Sequence, residues 1–255
     1  MPIQTDANGR VLALPRGIIN FGRFRNMKTN RTSRHWVMSQ VWDDVLFAHW
    51  RVPHQELEQL VAPPLCVDTF DGQAWLGVVA FRLSRIQLRG CPVVAAVSDF
   101  AEVNLRTYVR LHDRPGVLFL SLHCPNRMAM ALARPWFRLP YGYASVDLRV
   151  LSETAHFSSR RRDGADFSAV YRPTTATDGA LERWLTDRFC YYVQAASRSV
   201  YRCDIAHQPW PLARAEARIS RNTLAKPFGI SLQGQPLVHH AQHMDTRVWP
   251  VRRVA

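Results

Sequence analysis

Several features are scarce or missing in this chain of 255 residues. No run of about 18 apolar residues occurs, so no transmembrane helix is expected and no membrane partner. The N-terminus has no apolar segment closing on a small-residue cleavage site, which argues against a secretory signal. Cys66, Cys91, Cys124, Cys190 and Cys203 are odd in number, scattered, and contain no C-x-x-C pair. Free thiols in a reducing cytoplasm are expected, not a disulfide framework. Lysine occurs only at Lys28 and Lys226. There is no G-x-S-x-G, no H-E-x-x-H and no P-loop, so the well-marked hydrolase, zinc-peptidase and nucleotide-binding classes find no support. Neither cofactor nor metal is expected. No internal repeat and no long helix stand out.

Cationic charge is present in excess: 33 Lys and Arg against 20 Asp and Glu, a formal charge of +13. Nearly all of it is arginine, spread along the chain and not gathered on one predicted helix, which reads as a solvated surface; nucleic acid is not the expected partner. Local clusters at Arg23, Arg25, Lys28, Arg31 and Arg34, at Arg160 to Arg162, and at Arg252 and Arg253 keep an anionic-partner reading open.

Residues 1–34 are polar and basic without periodicity and read as a flexible tail; 35–255 read as one domain. From Trp36 an aromatic-rich strand leads in, and Pro53 suits the first turn of a short helix carrying Leu57, Leu60 and Val61. Leu65–Phe70 and Ala74–Leu83 flank Asp71-Gly72 and predict an antiparallel hairpin. Gly90–Phe100 reads as a loop over the surface or over a barrel mouth. Strands are expected at Val146–Leu151, His156–Arg161 and Asp166–Tyr171, then a helix from Leu181 to about Cys190. A further hairpin and strands at Ala215–Thr223 and His239–Val251 follow. Many short strands with a few brief helices mean a mainly β protein, a barrel or sandwich.

Gly116–Ala144 condenses three elements: a buried strand over Val117–His123, a helix from Asn126 to Arg134 stopped by Pro135, and a return strand over Trp136–Tyr143. Just upstream, Glu102, Asn104, Arg106 and Tyr108 alternate with Val103, Leu105 and Val109. The two-residue period puts carboxylate, amide, guanidinium and phenol on one strand face. If that face lines an interior, its groups must pair with one another or with a ligand, and Arg106 suits a carboxylate or phosphate; if it faces water, it is ordinary surface. His123 at its strand end is a candidate base or a satisfied structural histidine. His239, His240 and His243 sit in a strand-like pattern; at about 3.3 Å per residue the outer two are roughly 13 Å apart, too far to share an ion. The tryptophans read as core residues.

Ordered blocks carry a family resemblance: D-D-V-L-F-A-H-W at Asp43–Trp50, V-D-T-F-D-G-Q-A-W-L-G-V-V at Val67–Val79 and E-V-N-L-R-T-Y-V at Glu102–Val109, followed by R-P-G-V-L-F-L-S-L, L-P-Y, Y-R-C-D-I-A-H-Q-P-W-P-L and V-W-P as far as Pro250. Together they resemble the YqjF-like bacterial family, domain of unknown function 2071. The resemblance implies a fold similar to the acetoacetate decarboxylase superfamily, a β-barrel with a central cavity. In those decarboxylases a lysine at the end of the helix and start of the return strand forms a Schiff base, its pKa lowered by a neighbouring lysine and by desolvation. Trp136 and Phe137 align with those two positions, and neither can form an imine. A cytoplasmic barrel holding a small polar or anionic ligand is therefore the leading expectation, with Glu102, Asn104, Arg106, Tyr108, His123, Trp136 and Tyr141 as candidate ligand residues. An enzyme of unknown reaction using Glu102 or His123 as acid or base, and an anionic-partner or nucleic-acid module working through the basic tail, stay open. So do the catalytic residues and a homo-oligomeric state.

Overall fold

The computed structural model describes residues 35–195, 197 and 199–255; the basic tail expected over 1–34, with Lys28, lies outside the described residues. The strands are β1 (Met38–Val52), β2 (Cys66–Val67), β3 (Ala74–Leu88), β4 (Phe100–Leu111), β5 (Arg114–Cys124), β6 (Tyr141–Tyr143) and β7 (Ser145–Leu151). They continue as β8 (Thr154–Arg160), β9 (Phe167–Ala176), β10 (Cys190–Gln194), β11 (Val200–Ala206), β12 (Ala213–Asn222), β13 (Leu237–Val248) and β14 (Arg252–Arg253). Three helices punctuate them, α1 (His54–Glu58), α2 (Arg127–Phe137) and α3 (Ala180–Thr186).

Among the described residues all strands join one 14-stranded sheet. Its path β11-β10-β5-β4-β3-β1-β13 closes on itself where Ile205 and Ala206 of β11 pair with Val248 and Arg247 of β13. Beyond β13 the sheet leaves this ring and continues through β12, β9, β8 and β7. That extension folds back over β1, β3 and β4. Leu46, Ala48, Val78, Ala80, Val103 and Leu105 on the outside of the ring meet Leu148, Phe157, Phe167 and Tyr171 in one core. Residues of opposite parity, among them Phe47, Val79 and Phe81, point inside. Both faces of these strands are thus covered, which accounts for their nearly continuous apolar composition.

The Asp71-Gly72 turn forms, with both residues at positive φ, but the hairpin predicted around it does not. Both edges of β3 are taken, by β1 and β4, so the chain before the turn goes elsewhere. Only Phe70 bridges to Gln73, and Cys66 and Val67 pair instead with Arg110 and Val109 of β4. Asp68 holds that segment down, its carboxylate 2.7 Å from buried Arg188.

α2 also departs from the sequence expectation. Asn126 caps it as predicted, accepting from the Ala129 N–H at 2.9 Å. Pro135, however, lies inside the helix, and Trp136 and Phe137 form its last turn, ended by Arg138 in the left-handed region. Pro135 forgoes the N–H that would bond the Ala131 carbonyl, and burial of Met130 and Phe137 holds the final turn in place. The return strand shrinks to β6, which runs parallel to β5 (Leu122 opposite Tyr141); a parallel pair needs a crossover, and α2 provides it. α3 stops at Thr186, four residues short of the expected end, and Cys190 opens β10. No helix among the described residues is long and apolar enough to cross a membrane.

Candidate functional site

Inside the ring lies a cavity of about 320 Å³, within the usual range for small-molecule pockets. Its walls come from the inward residues of β1, β3, β4 and β5, and its mouth from α2 and the loop over Cys91–Val97. That loop and α2 are tied together where the Asn126 side-chain amide donates to the Ala96 carbonyl at 2.8 Å. Trp42, Phe81, Phe100, Phe119 and Leu122 give the lining an apolar character.

The polar part is a row on β4. Glu102, Asn104 and Arg106 all line the cavity and are each buried. Glu102 sits in the upper wall, where its Oε2 accepts from the Tyr141 hydroxyl at 2.8 Å. Burial raises its carboxyl to about 7, against the smaller opposing effect of that hydrogen bond. Burial and the adjacent Glu102 push the Tyr141 phenol far above its ordinary value, so it stays protonated and can donate to Glu102. Asn104 follows; its side-chain oxygen has no partner among the described residues. Arg106 closes the floor. One Nη2 donates to the Leu185 carbonyl of α3 at 3.3 Å, Nε has no partner, and the guanidinium stands 5.7 Å from the Phe47 ring and 5.8 Å from the Tyr108 ring. No carboxylate forms an ion pair with it among the described residues.

Two of the expected residues lie elsewhere. Tyr108 shares the inward face but sits beyond the cavity floor, where its hydroxyl shares a hydrogen bond with His49 Nε2 at 2.7 Å and its ring packs 4.8 Å from Trp184. Burial, then Arg106, then His239 hold His49 well below its ordinary pKa, which keeps the imidazole neutral. Gly77 is required beside this pair: a Cβ there would stand 2.9 Å from His49 Cδ2 and 3.3 Å from the Tyr108 oxygen. His123 points the other way, into the space between ring and outer sheet. Its Nδ1 lies 3.1 Å from Ser159 Oγ and its Nε2 3.4 Å from Arg161 Nη1. Burial and Arg161 depress it to about 4. His123 is thus a neutral, hydrogen-bonded histidine outside the cavity.

Trp136 lies at the mouth, 58% exposed, and Phe137 lines the wall beneath it. Lys226 is exposed on a 3-10 turn, and among the described residues no lysine contributes to the lining. Among the three histidines of β13, His239 and His240 are buried, while His243 is exposed and pairs with Asp43 at 2.7 Å. Trp42, Phe81, Phe119 and the His49–Tyr108 pair are not marked as site residues by any local sequence motif. The alternation Phe47, His49 on β1 and Val79, Phe81 on β3 carries the signal, once both strands are known to face inward.

Comparisons with known proteins agree with this architecture. A family model described as an uncharacterized conserved protein, domain of unknown function 2071, matches residues 39–245. The uncharacterized protein YqjF of Bacillus subtilis is 39% identical over 238 residues, spanning 91% of this chain and 98% of the relative. Among solved structures, acetoacetate decarboxylase from Legionella pneumophila superposes with a TM-score of 0.66 at 11% identity, covering 96% of this chain and 98% of that one. The enduracididine biosynthesis enzyme MppR complexed with pyruvate gives 0.62 at 11% identity, covering 89% and 93%. The fold is acetoacetate decarboxylase-like, and the chain belongs to the family of domain of unknown function 2071.

Proposed function

We propose that the cavity binds a small molecule bearing a negative charge, anchored by Arg106, and that it does so without Schiff-base chemistry. The observation that carries this reading is a buried guanidinium with an unpartnered Nε and no carboxylate beside it. A buried charge without a counter-charge is costly, and an anion at the floor of the cavity offsets that cost while accepting the free N–H. The neighbour described with pyruvate holds a small carboxylate, chemistry of the same kind. The described lining supplies no amine for an imine. Five free thiols, with Cys66 and Cys91 exposed, support a cytoplasmic setting.

The test uses 1-anilinonaphthalene-8-sulfonate, an apolar anion whose fluorescence reports entry into a dry site. One saturable site is expected on the full chain, and Arg106→Gln lowers its affinity roughly tenfold or more. Near-UV circular dichroism checks that the variant is folded. Equal affinity in a folded Arg106→Gln variant would remove Arg106 from the site.

An acid–base role for the same cavity is the second reading. It is favoured by Glu102, a carboxyl that titrates near 7 inside a pocket and is held by Tyr141.

A further inference from the structure

Resting on that reading of Arg106, we propose that the ligand is an amphiphilic monocarboxylate: a carboxylate on Arg106 at the floor and a long aliphatic body rising through the cavity to its mouth. Three observations independent of the anchor lead there.

The first is charge count. Among the described residues Arg106 is the one basic side chain in the lining, and the one acidic group there, Glu102, lies four residues along the same strand, roughly 13 Å away between backbones. A dicarboxylate or phosphate ester would bring a second negative charge into a space whose described lining has no second cation and holds a carboxyl. One negative charge fits this lining.

The second is the wall above Arg106. Val79 and Phe81 from β3, Phe119 and Leu122 from β5 and Trp42 from β1 surround the path upward. Beyond the β4 row, the described lining adds as polar groups Gln40, Cys91, Tyr141, Tyr191, whose hydroxyl already donates to the Phe137 carbonyl, and the indole N–H groups of Trp42 and Trp136, too sparse a set to satisfy the hydroxyls of a sugar or nucleoside body.

The third is the mouth. Met128, Leu132 and Trp136 repeat at i, i+4 and i+8 on α2, so they form one stripe. They line the cavity, yet they are 54%, 48% and 58% exposed, and Val94 across the opening is 50% exposed. A ligand that ended near Arg106 would leave this stripe in water. A chain long enough to reach it covers the stripe and gains the corresponding apolar burial.

Isothermal titration of the full chain with sodium hexanoate, octanoate, decanoate and dodecanoate, below their micelle thresholds at neutral pH, tests the proposal. Affinity is expected to rise about fourfold per methylene until the chain clears the mouth. Adipate, with two carboxylates on six carbons, binds more weakly than hexanoate. Trp136→Ser, a change at an exposed position, leaves hexanoate affinity as it was and lowers dodecanoate affinity several-fold. If affinity is flat across the series, if adipate is the tighter ligand, or if Trp136→Ser lowers both chain lengths equally, the monocarboxylate proposal is overturned while Arg106 as an anion anchor survives. If no member of the series and no anilinonaphthalene sulfonate binds, both fall together.

Discussion

The two faces of β4 are equally withdrawn from solvent and chemically opposite. Val103 and Leu105 point out of the ring into the largely apolar core shared with the outer sheet, where the polar His123 opposite Val103 finds its partners in Ser159 and Arg161. Glu102, Asn104 and Arg106 point inward to a cavity, and there an amide oxygen and a guanidinium nitrogen lack partners. Burial alone does not separate core from site in this molecule. On β4 what separates them is that inward polar atoms of Asn104 and Arg106 lack protein partners, whereas the outward face packs against groups the protein itself satisfies.

The largest effect that sharpens this contrast comes from the outer face. Leu105→Ala removes wholly buried volume and is expected to cost about 2–5 kcal/mol of stability in urea titration. Anion affinity of the folded fraction should not change. A loss of affinity in step with stability would mean that the two faces are not separable.

The inner face gives a smaller effect with a distinctive pH signature. Glu102 titrates near 7 in the folded chain against 4.5 for an ordinary glutamate, so between those values the native state holds a proton that the unfolded state has released. Stability from this group therefore falls as pH rises from about 4.5 through 7 and levels off above. Glu102→Gln keeps an acceptor for Tyr141 and removes the ionisation. It should stabilise the protein by about 2–3 kcal/mol at pH 8 and leave it unchanged at pH 4. His123, on the outer side, works in the opposite sense. Its folded pKa near 4 lies below the ordinary 6.5, so stability from it rises with pH across that window and is lost on acidification. Thermal melts of wild type and Glu102→Gln from pH 4 to 8 separate the two contributions. A gain that does not depend on pH would contradict the assignment of Glu102.

Much of the fold was legible in local pattern, and the shortfalls have specific causes. The β4 row stood out because polar residues at every second position are a strand signal, but the same pattern is compatible with a solvated face. Only ring closure, a long-range pairing of β11 with β13, makes it interior. Tyr108 was grouped with the row by parity, which locates a face and says nothing of depth; Trp184 of α3 fills the space beside it. His123 faces outward because the register between β4 and β5 shifts at Leu105/Arg106, and neither reading of it, candidate base or satisfied histidine, shows that shift in local sequence. Pro135 was read as a stop because its local cost is real, and tertiary burial of Phe137 outweighs it. The Asp71-Gly72 turn formed without its hairpin because strand pairing depends on which edges are free.

The most direct test of the central claim is the Nε–Hε resonance of Arg106, assigned by its absence in Arg106→Lys, followed in an arginine-labelled sample during titration with decanoate. The Nε lacking a protein partner should acquire one, so this resonance should move on binding and saturate with the calorimetric affinity, while the Arg188 Nε–Hε signal, already donating to the Trp184 carbonyl, stays in place. Saturable decanoate binding with the Arg106 resonance unmoved would contradict an anion seated on Arg106.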